Sequence, residues 1–157
     1  MKKSIVLVSV FLALIIVLSC VCVACNDSSS NSQTAEETIV MRNVNRVKNA
    51  CKDPSSFVAR GTCYTWIKYN DDGSKKYEIS RIVFDAKNSF GAYSGTSIAY
   101  VDGGSIYTDS ETTSDGKFSY SMCESKMNIA IKDYNNGTLE STEKLYFVSA
   151  DRINSLL

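Results

Sequence analysis

Apolar positions along this chain follow three patterns: one unbroken run, one helical stripe and a series of alternating segments. The run extends from Ile5 to Ala24, behind Lys2 and Lys3, and stops at Cys25-Asn26-Asp27-Ser28-Ser29-Ser30. A charged start, an apolar stretch and a small residue before a cut define an export signal. Asn26 to Gln33 holds no apolar residue and reads as a flexible tether. Val40, Val44, Val47 and Cys51 then recur at helical spacing. Thr34 and Glu37 stand as a capping box before them, and Asp53-Pro54 stops the helix.

From Phe57 onward the pattern has the period of strands. Phe57 to Tyr69 is aromatic and β-branched, Asn70-Asp71-Asp72-Gly73 is a turn, and Tyr77 to Ala86 is the return strand. Tyr93 to Val101 forms a third strand, closed by Asp102-Gly103-Gly104. Ile106 to Gly116, rich in Ser, Thr and Asp, reads as an exposed loop or weak edge. Met127, Ile129 and Ile131 alternate within Lys126 to Tyr134 and predict another strand before a hairpin turn at Asn135-Asn136-Gly137. Leu145 to Val148 is a last strand, and Ser149 caps a short helix that buries Ile153. The expected fold is α+β: an N-terminal helix on an antiparallel sheet of four or five strands, with a short C-terminal helix. The domain runs from 34 to 157, behind a signal at 1–25 and a tether at 26–33.

Cys25 is the expected lipidation site, with Ala24 before it. Val17-Leu18-Ser19-Cys20 makes Cys20 the alternative, and an uncleaved apolar anchor is the third reading, since about 20 apolar residues span a bilayer. Each places the domain at a membrane, and the first two tether it by lipid to the outer face of the cytoplasmic membrane. Cys51, Cys63 and Cys123 remain, so at most one internal disulfide can form. Cys63–Cys123 is the first choice. Cys51–Cys123 and no disulfide stay open, whereas Cys51–Cys63 is separated by about 20 Å of strand at ~3.3 Å per residue.

The chain contains no histidine, which removes Ser-His-Asp and Cys-His catalysis and histidine-ligated metals. Lys plus Arg equal Asp plus Glu at 17 each, and loss of Lys2 and Lys3 with the signal leaves a net charge of −2. No basic stripe points to nucleic acid. Asp71-Asp72-Gly73, Asp102-Gly103 and Asp115-Gly116 lack the alternating ligands of a calcium loop and read as turns. No cofactor or metal is expected. Trp66, Phe90 and Tyr93 are the candidate ligand or partner contacts, and Ser105 to Phe118 is the candidate blocking loop.

The sequence from the helix through Lys52-Asp53-Pro54-Ser55-Ser56-Phe57, then Ala86-Lys87-Asn88-Ser89-Phe90-Gly91-Ala92-Tyr93, to Asp151-Arg152-Ile153-Asn154-Ser155-Leu156 resembles small secreted or lipid-anchored proteins of Gram-positive bacteria. The resemblance implies an exported domain and carries no catalytic residues over. Within Lys87–Tyr93, Gly91 is expected to allow a tight bend that Phe90 and Tyr93 anchor. The leading expectation is a non-catalytic binding or interaction module of the cell envelope, with a protein or glycan partner. The alternatives are a protein that blocks a secreted enzyme or a phage, and a histidine-free hydrolase.

Overall fold

The first described helix, α1, spans Ala35–Ala50 in a computed structural model that describes residues 32–110 and 112–157. Its start is fixed by the capping box. Thr34 Oγ1 accepts from the Glu37 N–H at 3.1 Å, and the Glu37 carboxylate accepts from the Thr34 N–H at 2.8 Å. Val40, Val44 and Val47 are buried together with Met41. The chain leaves the helix at Cys51, which is extended, and Asp53 caps a 3₁₀ turn at Pro54–Ser56. The expected export segment, Cys25, Cys20 and the tether up to residue 31 lie outside the described residues. No helix among the described residues is long and apolar enough to cross a membrane.

Six strands follow: β1 (Val58–Ala59), β2 (Cys63–Tyr69), β3 (Lys75–Asp85), β4 (Ser97–Asp102), β5 (Ser105–Thr108) and β6 (Glu143–Val148). All pairings are antiparallel, in the order β5-β4-β3-β2-β6, and β1 pairs with β3 beyond the end of β2. The single strand expected over Phe57–Tyr69 is therefore split in two. Gly61 explains the break: a Cβ there would meet Val83 Cβ at 3.3 Å, so the chain crosses β3 where a larger residue would have to push Val83 aside. The third strand begins at Ser97 rather than Tyr93, and the expected weak edge is β5.

One expected strand is a helix. Lys126 to Tyr134 lies inside α2, which spans Ser114–Asn136. Met127, Ile129 and Ile131 alternate, but three residues cannot distinguish a period of two from one of 3.6. The residues that face the sheet are Cys123, Met127 and Ala130, whereas Ile129 is 57 % exposed. Asn136-Gly137 is correspondingly the helix end and not a hairpin turn. Gly137 sits at φ 69 and donates back to Asp133 and Tyr134. Both structures need a glycine in the left-handed region, so the same dipeptide marks either. α2 links β5 at one edge of the sheet to β6 at the other.

The last helix, α3 (Ala150–Leu156), is capped by Ser149 and buries Ile153. Asn154 clamps it to β1: its amide accepts from the Ala59 N–H at 2.9 Å and donates to the Ala59 carbonyl at 3.1 Å. Arg152 donates to Glu37 at 2.6 Å and joins α3 to the start of α1. The result is three layers. Val40, Val44, Cys63, Ile82, Val101 and Ile153 form the cluster under α1 and α3. Trp66, Ile79, Tyr100, Cys123, Met127 and Leu145 form the cluster under α2. The fold is α+β, as its residue patterns imply.

Candidate functional site

The polar feature that stands apart from both clusters is a file of side chains between α1 and the sheet. Asn43, Thr65 and Ser80 are essentially inaccessible to solvent. Asn43 Nδ2 donates to Ser80 Oγ at 2.8 Å and to Glu78 Oε1 at 3.0 Å, and Ser80 Oγ lies 2.7 Å from Thr65 Oγ1. Glu78 also accepts from Arg42 through Oε1 and from Lys75 through Oε2. Burial raises the pKa of Glu78, but the donors Lys75, Asn43 and Arg42 together outweigh it and hold the carboxyl below its ordinary value.

Glu78 lies in the wall of an open cleft of about 450 Å³. Arg42 and Arg46 line it from α1, Lys75, Lys76 and Tyr77 from the start of β3, and Gly103 and Gly104 from the β4–β5 turn. A register shift shapes the β3 wall: Tyr69 pairs with Lys75 and Lys68 with Tyr77, so Lys76 is bulged out of the ladder. Asp102 also lines the cleft, but its strand partner is Ile79, which belongs to the cluster under α2. Cross-strand partners share a face, so the Asp102 side chain is directed away. Arg42, Arg46 and Lys75 therefore line the cleft with one carboxylate, whereas the Lys76 ammonium lies 5.6 Å from the Tyr77 ring, which Lys126 of α2 covers at 4.7 Å. Arg46 reaches the turn, its Nη1 lying 3.8 Å from where a Cβ on Gly104 would be.

The residues expected from sequence to touch a ligand do not gather in one place. Trp66 is buried under α2, and its indole N–H has no partner among the described residues. Phe90 is 95 % exposed, so it does not anchor the Lys87–Tyr93 bend. Asn88 does: its Oδ1 accepts from the Phe90 and Ala92 N–H groups, and its own N–H donates to the Ala92 carbonyl. Gly91 supplies φ 79, and Tyr93 is half-exposed and bridges to Lys87. The exposed aromatic group is a different one. Phe147 packs between Tyr64 and Tyr134 at ring-centroid distances of 6.1 and 5.8 Å.

Among the described residues no disulfide forms: Cys63 and Cys123, the expected pair, are both free, as is Cys51. Cys63 belongs to the cluster under α1 and Cys123 to that under α2, so the sheet stands between them. The expectation failed because it placed Cys123 beside a strand. Burial pushes both thiols up to about 11. Asp72 accepts from the Ser74 N–H and hydroxyl and so holds its turn, and Asp115 stands in the first turn of α2. No group of residues suited to a metal ion occurs among the described residues. The blocking-loop candidate, Ser105 to Phe118, is mostly β5 and the first turn of α2, with Phe118 exposed.

Sequence reasoning missed the cleft. Its signals were present as Arg42 and Arg46 four apart on one helix and as the pair Lys75-Lys76 after a turn. Nothing in the sequence joined them, because the register that sets Glu78 beside α1 is a tertiary feature. Comparison with protein-family models, with curated proteins and with solved structures finds no match.

Proposed function

We propose that this protein is a non-catalytic binding module of the cell envelope, tethered outside the cytoplasmic membrane, and that the cleft between α1 and β3 holds an anionic ligand. The observation that carries this reading is the concentration of charge. Arg42, Arg46, Lys75 and Lys76 line one cleft with Glu78 as the opposing side chain, on a domain whose charge from residue 26 onward is −2. A volume of about 450 Å³ is in the range of ligand sites, about 300–1,000 Å³. The site is also rigidly supported. Asn43 fixes Glu78, and Glu78 orients Arg42 and Lys75, so those two cations do not have to be ordered when a ligand arrives.

The tethering part of the reading rests on the Ile5–Ala24 run and Cys25. Two acyl chains on such a cysteine anchor a protein stably where one does not. Metabolic labelling with a palmitate analogue tests it: Cys25→Ser should abolish the label, and label lost in Cys20→Ser instead would move the site. For the cleft, the full chain should bind polyanions such as polyphosphate and polyglutamate, more weakly as salt rises. Arg46→Ala with Lys76→Ala should weaken that binding without changing the melting temperature. Equal binding by the double variant would remove the cleft from the account.

A further inference from the structure

A single register line crosses the α2 face of the sheet from edge to edge. Tyr107 pairs with Tyr100, Tyr100 with Arg81, Arg81 with Tyr64 and Tyr64 with Phe147. Cross-strand partners share a face, so these side chains form one row. α2 touches the row twice: Tyr120 packs on Tyr100 at 5.1 Å, and Tyr134 on Phe147 at 5.8 Å. The row opens to solvent toward β6. Tyr100 is buried, Arg81 and Tyr64 are half-buried, and Phe147 and Tyr134 are 52 % and 45 % exposed. Val83 and Ile98, paired in the next row out, are half-buried as well.

Arg42, Arg60 and Arg152 each meet a carboxylate. Arg81 meets none among the described residues, and its Nε is buried without a hydrogen-bond partner. Glu124 of α2 faces the Tyr100 hydroxyl, which burial pushes up to about 12, but forms no ion pair with Arg81 on the other side of that hydroxyl. A half-buried cation without a partner lowers stability, and its orphaned donor calls for an explanation. Aromatic residues and arginine, without lysine or glutamate, are also what concentrates at the centres of protein interfaces. We infer that the Arg81 row is a docking surface for an acidic protein segment, which sets a carboxylate on Arg81 and an apolar side chain on Tyr64, Phe147 and Tyr134. Arg81 and Phe147 stand two strands apart, about 10 Å. An extended segment covers that distance in three residues at ~3.3 Å each, so its Asp or Glu stands three positions from its apolar residue. The surface lies across the sheet from the cleft and is independent of it.

A displayed library of random twelve-residue peptides, selected on the full chain in micelles of a neutral detergent, tests this. Enriched peptides should carry an Asp or Glu three positions from an aromatic or large aliphatic residue. A synthetic copy of the most enriched peptide should bind about tenfold more weakly to Arg81→Met and to Phe147→Ser, the scale of one charge-assisted hydrogen bond. It should bind equally to Arg42→Ala with Arg46→Ala. Arg81→Met should melt no lower than wild type, because it removes a charge that has no partner, whereas a purely structural arginine would lower the melting temperature when lost. Enriched peptides without a carboxylate, binding unchanged in Arg81→Met, binding lost with Arg42 and Arg46 instead, or no enrichment at all would each overturn the inference. A wild-type dimer in sedimentation that Phe147→Ser dissociates would overturn it too, by making a second copy of the chain the occupant.

Discussion

Ile79 and Ser80 are neighbours on β3, both fully buried, and they face opposite layers of the molecule. Ile79 packs among Trp66, Tyr100 and Met127 under α2, whereas Ser80 bonds to Thr65 and Asn43 under α1. The α2 layer excludes water with apolar and aromatic area. The α1 layer does the same around Val44 and Ile82, but it also carries a polar file that ends at the cleft. Such a network contributes little net stability when complete and is costly when one member is lost. The layers thus differ in chemistry: only the α1 layer holds a buried polar file, and that file fixes Glu78, which accepts from Arg42 and Lys75.

The largest effects would break the layers themselves. Val44→Asp and Met127→Asp each bury an unpaired charge in one cluster, at a cost of several kcal/mol. Both variants should lose cooperative melting by circular dichroism. A variant that melts like wild type would show that its helix is not docked on the sheet.

A smaller effect separates the two layers. Asn43→Ala leaves Ser80 and Glu78 without the amide donor and should cost about 1–3 kcal/mol. It should also weaken anion binding, although Asn43 is buried behind the cleft. Met127→Leu conserves volume and should cost less than about 1.5 kcal/mol, with anion binding unchanged. If Asn43→Ala destabilises the fold but leaves binding untouched, the polar file does not position the cleft.

Acid sharpens the contrast further. The folded Glu78 carboxyl titrates below its ordinary value of 4.5, so its contribution is present above that pH and is lost as pH falls through the lower folded value. Glu37 behaves alike: the Arg152 side chain first, and the Thr34 N–H next, hold it at about 2. Denaturation followed from pH 6 downward should show a shallower decline for Glu78→Gln than for wild type below about pH 4.5. An unchanged slope would mean that Glu78 is not held by its donors in solution. The smallest effect belongs to Phe90→Ser, which should stay within about 0.5 kcal/mol of wild type because its ring is exposed and Asn88 holds the bend. A larger loss in the melting curve would restore Phe90 as an anchor.

The elements set by local chemistry were legible in the sequence: Thr34 and Glu37 at the start of α1, Asp53-Pro54 after it, the Asn70–Gly73 turn and Ser149 before α3. α2 was not. Its apolar face is thin, its outer face carries Phe118 and Ile129, and Gly137 signals a helix end and a hairpin equally. That one misreading also produced the expected Cys63–Cys123 bond. The cleft stayed hidden for another reason. Arg42 and Arg46 read as the solvent face of a helix, and only the β3 register brings Glu78 and the Lys76 bulge to them.

The division between the layers is tested most directly by a ¹⁵N correlation spectrum of the protein titrated with polyphosphate. The account predicts that shifts concentrate at Arg42, Arg46, Lys75–Glu78 and Gly103–Gly104, follow one saturable curve and disappear in Arg46→Ala with Lys76→Ala. Shifts centred on α2 or around Phe147, or scattered over surface lysines and unaffected by the two substitutions, would contradict it.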